Sequence, residues 1–285
     1  LLLCPVKLRI LPCSRSTTAP VFNVTSNVVV GNTLAGVFHL SSRAICLWNN
    51  NVTANTPALN GPNSVALVLD AADPSLFQRN LFNNPNFAFE LQYITSASLL
   101  NAPNNWWGSA SAGVLLARVE SFASDAALGL VNLSPYLLSA SFNAAAATIS
   151  DTQSGVISQD TTWSTSPVLL SRNTAVLAGA TLAISPGVVI KLARGISLQI
   201  SGSLVAIGTA AQPIRFTSQS VTTRWRSLVF TTGSAAARLN SSGAYISGST
   251  LQHCVLDSGG ASALGACRPP VLTLGVLCRN DSDGQ

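Results

Sequence analysis

Residues 26–33 read SNVVVGNT, and residues 49–56 read NNNVTANT, the same phrase 23 positions further on. The theme continues in QRNLFNNP (78–85) and NAPNNWWG (101–108). Each phrase follows an apolar stretch: VFNV, AICLW, VALVL and FAFELQYI. A period in the twenties, made of short strands and Asn-rich turns, predicts a solenoid. One coil of such a chain cannot bury its apolar side chains alone, whereas stacked coils enclose a continuous interior. Each coil then pairs its backbone with its neighbours at about 4.8 Å. Asn suits the corners because it tolerates left-handed backbone and hydrogen-bonds locally. Stacked amides can also form a ladder.

A second region, 167–258, has a different texture and points to the same architecture. ISLQISGSLVAIG alternates Ile196, Leu198 and Ile200 with Ser197, Gln199 and Ser201, which places the apolar set on one face of a strand. Gly202 then interrupts, and PGVVIKL (with Gly187), PIRFTS and WRSLVF are further short β runs. No stretch there combines a helix cap with 3.6-residue periodicity. Between the two regions AGVLLARVESF predicts a short helix or cap over a solenoid end.

The composition agrees. The chain has 285 residues, 47% hydrophobic and only 9% charged, against about 25% charged in ordinary soluble domains. That excludes disorder and coiled coils. The net charge of +5 reflects scarce acids, and no basic stripe for nucleic acid stands out. No apolar run is long enough for a membrane-spanning helix. With two histidines and no CxxC pair, the residues for a zinc site are lacking, and no cofactor is expected. Cys4 with Cys13, and two among Cys254, Cys267 and Cys278, read either as disulfides or as buried thiols. Sequons begin at Asn23, Asn51, Asn132, Asn240 and Asn280, in keeping with a secreted or cell-surface chain. There is no methionine, even at position 1, so the sequence reads as a fragment or a processed chain.

The segment NNWWGSASAGVLLARVESFASDAALGLVNLSPYL (104–138) resembles one that closes right-handed parallel β-helices in secreted, multi-repeat surface proteins. There an Asn-Trp-Gly phrase, here Asn105, Trp107 and Gly108, precedes a short helix. An Asp-bearing loop (Asp125) and a Ser-Pro-aromatic ending (Ser134, Pro135, Tyr136) follow. Where relatives often carry two adjacent acids, this chain has Ser124 and Asp125. Residues 162–219 are similar to an opening module of the same proteins, with Pro-Gly-Val-Val at 186–189 and Pro-Ile-x-Phe-Thr-Ser at 213–218. The resemblance implies an all-β, right-handed parallel β-helix in two segments. Expected boundaries are a remnant or leader at 1–20, β-helix at 21–109, cap and linker at 110–164, β-helix at 165–270, and a tail at 271–285.

Function is less constrained, because this architecture hosts enzymes, adhesins and passive scaffolds. Trp106 and Trp107 point to opposite faces of an extended segment, so one is expected to plug the interior and the other to lie over the cap. A sugar-stacking role for the outward ring is the alternative. Lys191 and Arg194, with Arg215, Arg224 and Arg226 some coils later, form a modest positive strip if stacking brings them onto one face; otherwise they are scattered solubilising charges. Asp70 and Asp73 in LDAADPS read as a turn before Pro74, or else as a cation ligand. His253 reads as a core or rung residue and His39 as a coil residue, and Cys254 and Asp257 beside His253 do not make a catalytic set by adjacency. The leading expectation is a non-enzymatic extracellular module, a scaffold or carbohydrate binder, whose partners are polysaccharide or other surface proteins. A polysaccharide lyase or hydrolase is the alternative, and it needs three or more of Asp70, Asp73, Asp125, Asp151 and Asp160 in one groove beside an arginine. An adhesin or fibre subunit is a further alternative.

Overall fold

The computed structural model describes residues 21–34, 36, 38–58, 61–94, 99–260 and 272–274. The chain is nearly all β, with 44% strand and 4% helix, and its parallel sheets stack into a β-solenoid of about seven turns. It forms two compact units, Leu1–Ser150 and Asp151–Gln285. The 110–164 stretch expected as cap and linker is shared between them.

In the first unit one face is a five-stranded parallel sheet of Val21–Thr25, Phe38–Trp48, Val65–Gln78, Phe89–Tyr93 and Val119–Glu120. A second face stacks Val28–Val30, Asn51–Thr53 and Leu81–Asn83, extended by a parallel bridge from Leu81 to Trp106. The repeated phrases superimpose here, and the reason is two columns of asparagine. Asn27, Asn50, Asn80 and Asn105 form one, each side-chain Nδ2 donating to the Oδ1 of the next (3.1, 2.9 and 2.9 Å). Each Oδ1 also accepts the backbone N–H of the asparagine before it, so one amide satisfies two buried donors. Asn32, Asn55 and Asn84 form the second column. Glu90 ends it, one carboxylate oxygen accepting Asn84 N–H and the other Asn84 Nδ2. Arg118 pairs with Glu90 at 2.8 Å and neutralises the buried acid.

The left-handed corner residue is mostly not the ladder asparagine but the one before it. Ser26, Asn49, Arg79 and Asn104 have φ between 54° and 58°, and each precedes a ladder asparagine. The tight corner turns the following amide inward, which is why the ladder is buried.

The expected helix forms at Ala112–Ala117, burying Leu115 and Leu116. Asp70 and Asp73 correct their expectation: both lie inside the strand Val65–Gln78, not in a turn. The register with Phe38–Trp48 shifts there, Ala44 facing Asp73 and Cys46 facing Leu76. Pro74 therefore sits at an irregularity, where its missing N–H interrupts no regular ladder.

The second unit has three faces per coil. The first stacks Val156–Ile157, Thr174–Val176, Ser197–Ile200 and Ser227–Phe230, and the second stacks Thr161–Trp163, Thr181–Ile184, Ser203–Ile207 and Thr250–Gln252. The third stacks Val168–Leu170, Val189–Leu192, Ile214–Ser218 and Cys254–Leu256. Pairing between these coils is parallel throughout. Leu198 and Ile200 are fully buried as their alternation predicts. Ser197 is buried as well, because it stands at a corner where Asn173 Oδ1 accepts its N–H and its hydroxyl meets Ser227. Gly202 is required by close approach: a Cβ there would fall onto the carbonyl oxygens of Ala180 and Leu177. Between Ser227–Phe230 and Thr250–Gln252 the coil extends an antiparallel hairpin, Arg238–Leu239 with Tyr245–Ser247.

Candidate functional site

Trp107 is the interior residue of the tryptophan pair. It is 1% exposed and stacks on Phe82 (centroids 5.0 Å apart) and Phe77 (6.2 Å), closing an aromatic column inside the first unit. Trp106 is half-buried on the other side of the strand, and its indole N–H is shielded from solvent. Gly108 follows with φ +81°, where a Cβ would press on Asn83 Oδ1 at 2.9 Å. Pro135 closes the neighbouring corner: its carbonyl accepts Asn104 N–H, and the Tyr136 hydroxyl donates to Ala110 O. Asn105 ends the first asparagine column and donates to the Phe77 and Ala102 carbonyls. This region is a densely bonded corner, with one partly exposed ring.

The second unit brings cations together. On its third face Lys191 faces Leu169 on one side and Thr217 on the other, while Arg215 faces Val189 and Val255. At the corner from the third face to the first, the turns of successive coils overlie one another. Ala193 N–H donates to Leu170 O, Gln219 N–H to Leu192 O, and Gly195 N–H to Arg224 O. Arg172, Arg194, Arg224 and Arg226 therefore share one corner, and Arg194, Arg224 and Arg226 are exposed. With a coil rise of about 4.8 Å, this column presents roughly one cation per coil. Sequence reading passed over Arg172, since nothing in SRNT signals that it begins the column. Burial lowers the Arg172 pKa, but an arginine starts so far above neutrality that the group stays cationic. Gly187, φ +80°, stands at another corner of the coil, where its N–H donates to Gln212 O.

Asp257 faces Arg215 on the third face. Asp257 Oδ2 lies 2.6 Å from both Arg215 Nε and Nη2, and its Oδ1 accepts the Thr217 hydroxyl. Burial pushes its carboxyl up, but the Thr217 hydroxyl and the Arg215 guanidinium outweigh that and hold it below the usual carboxylate range. Arg215 is thus partly neutralised, whereas Arg194, Arg226 and Lys191 are not part of any ion pair among the described residues.

The remaining candidates are placed elsewhere. His253, expected in the core or a rung, is exposed at a left-handed corner (φ 48°) between the strands Thr250–Gln252 and Cys254–Leu256. The corner needs its backbone, whose carbonyl accepts Ile214 N–H, and turns the imidazole outward. His39 is likewise exposed, on Phe38–Trp48. Cys254 is a thiol whose Sγ lies 3.4 Å from Ala206 O, with its pKa raised by burial, and Cys46 is a buried thiol. Cys4, Cys13, Cys267 and Cys278 lie outside the described residues. Asp70, Asp73 and Asp125 belong to the first unit, and Asp151 and Asp160 to the second. Asp125 Oδ1 accepts Ala127 N–H within its own turn, and Asp160 Oδ1 accepts Thr181 N–H from the next coil. Among the described residues no three His, Cys, Asp or Glu side chains gather as a metal site, and no helix is long and apolar enough to cross a membrane. A hollow in the first unit is lined by Thr56, Pro57, Gly61, Pro62 and Asn86, none of them ionisable.

Fold and site together define the class: a parallel β-helix repeat protein whose second unit bears a corner column of arginines. Compared with models of known protein families, with curated proteins and with solved structures, the chain finds no match.

Proposed function

We propose that the chain is a non-enzymatic module of an extracellular or cell-surface β-helix protein, and that its second unit holds acidic polysaccharide along the arginine corner. The reading rests on Arg172, Arg194, Arg224 and Arg226, which lie at one corner over three successive coils with Lys191 beside them, while Asp257 pairs with Arg215 on the neighbouring face. An extended polyanion laid across the coils meets a cation at each step, and the flat outer face suits a chain better than a small ligand. The Asn105–Trp107–Gly108 corner, the helix Ala112–Ala117 and the Pro135 turn support a further reading, that this region is the Asn-Trp-Gly closing segment of such proteins.

The test is retention on immobilised polygalacturonate against neutral dextran, with calcium, scoring bound protein and newly released chain ends. Retention on the acidic polymer, weakening as salt rises, is expected. The triple variant Lys191→Ala, Arg194→Ala, Arg224→Ala is expected to bind about tenfold more weakly, each rim charge contributing a few tenths of a kcal/mol or more. Equal retention on dextran would move the site to Trp106. Release of chain ends would replace binding with lyase or hydrolase action, and tighter binding to duplex DNA would overturn the choice of polyanion.

A further inference from the structure

We infer that Asn240 is a site of N-linked glycosylation, and among the described sequons the favoured one, carrying an oligosaccharide on Nδ2. The inference goes beyond polyanion binding and shares with it only the extracellular setting.

The fold separates the described sequons sharply. Asn23 is 6% exposed, with both side-chain atoms buried, so the folded protein has no room for a glycan there. Asn132 commits Oδ1 to Ser134 N–H and Nδ2 to Asn101 Oδ1. Asn51 is half-buried in a central strand, paired on one side with Val28–Val30 and on the other with Leu81–Asn83. Asn240 is exposed in the turn of the hairpin that projects from the second unit. Asn280 lies outside the described residues.

The geometry at Asn240 also suits the chemistry. Its Oδ1 accepts three bonds, from Ser242 N–H (3.0 Å), Ser242 Oγ (2.7 Å) and Ala244 N–H (2.8 Å). Donors on the amide oxygen withdraw electron density and make the Nδ2 protons easier to lose. Nδ2 itself makes no hydrogen bond among the described residues, and the residue is exposed. The transfer uses a lipid-diphosphate-linked oligosaccharide as donor. The bond from Nδ2 to the anomeric carbon forms, the bond from that carbon to the phosphate oxygen breaks, the lipid diphosphate leaves, and one amide proton passes to a base. Thr53 gives Asn51 the same hydroxyl contact (3.0 Å), but the flanking strands enclose that residue. The hairpin leaves the solenoid at the corner between its first and second faces, whereas the arginine column occupies the corner between the third and the first. A glycan at Asn240 therefore leaves that column uncovered.

The test translates the full chain behind a cleavable signal peptide in the presence of microsomal membranes. Each sequon peptide is then read by mass spectrometry after an amidase converts glycosylated Asn to Asp. Conversion at Asn240 and none at Asn23 is expected. Asn240→Gln and Ser242→Ala should each remove one glycan step, while Ser242→Thr should keep it. An unconverted Asn240 peptide, or conversion at Asn51 or Asn132 without Asn240, overturns the inference. Because the signal is supplied, the result is independent of polysaccharide retention, which tests the other reading.

Discussion

A single asparagine in the ladder does the work of several residues. Asn80 Nδ2 donates to Leu47 O, Gln78 O and Asn105 Oδ1, and its Oδ1 accepts both donors of Asn50. Asn80→Leu keeps the bulk but strands the Leu47 carbonyl and the Asn50 N–H in the interior. At about 1–3 kcal/mol for each orphaned group, a loss of about 3 kcal/mol or more is expected from denaturant titration. At half-buried Asn49, outside the ladder, Asn49→Ser should cost well under 1 kcal/mol by comparison, the chief term being the left-handed corner. Asp257 makes the stability of its coil depend on pH. Its folded pKa is depressed, so its contribution to stability is present above the unfolded value of about 3.9 and is lost as pH falls through the folded value. Stability of the coil that carries Asp257 should therefore fall below about pH 4 in the native protein and be flat there in Asp257→Asn. The same variant releases Arg215, and retention on polygalacturonate at neutral pH should tighten by about threefold, a surface-charge effect of under 1 kcal/mol.

At the scale of elements, the paired tryptophans divide cleanly. Trp107→Ala empties the end of the Phe77–Phe82–Trp107 column and is expected to cost about 3–5 kcal/mol. Trp106→Ala, on the half-buried side, should cost less than half of that, and calorimetry of the two variants decides which ring is structural. Period-two alternation located the strands because one face of each is sealed, as Leu182, Ile184, Leu204 and Ala206 show. It missed the turn-like LDAADPS as strand, since neighbouring coils supply pairing that local composition does not record. Propensity describes one segment against water, whereas here each segment is judged against the coils stacked on it.

On the scale of the molecule, the two units hold separate cores, one built around Phe77, Phe82, Tyr93 and Trp107 and the other around Ile190, Leu198, Phe216 and Trp225. Solenoid stability is close to a sum of coil and nearest-neighbour terms, so damage should stay local. Gly202→Val, which forces a side chain onto two backbone carbonyls, is expected to lower hydrogen-exchange protection across the coils of 174–230 while leaving 65–93 unchanged. Uniform loss in both regions would show that the units unfold as one.

Much of the architecture was written in particular residues. The 23-residue echo from SNVVVGNT to NNNVTANT marked the coil, because a repeat that buries identical positions must return identical side chains. The interior role of one tryptophan followed from alternation, and the helix Ala112–Ala117 from its local pattern. Only the tertiary structure revealed that Glu90 closes an asparagine column, that Arg172 joins Arg194 and Arg224, that Asp257 restrains Arg215, and that Asn23 is sealed while Asn240 is open. The physical reason is one of register. Period and alternation are local properties of the chain, whereas which residues share a column depends on how many residues each coil inserts at its corners. Those insertions differ from coil to coil, the asparagine column alone stepping by 23, 30 and then 25 residues.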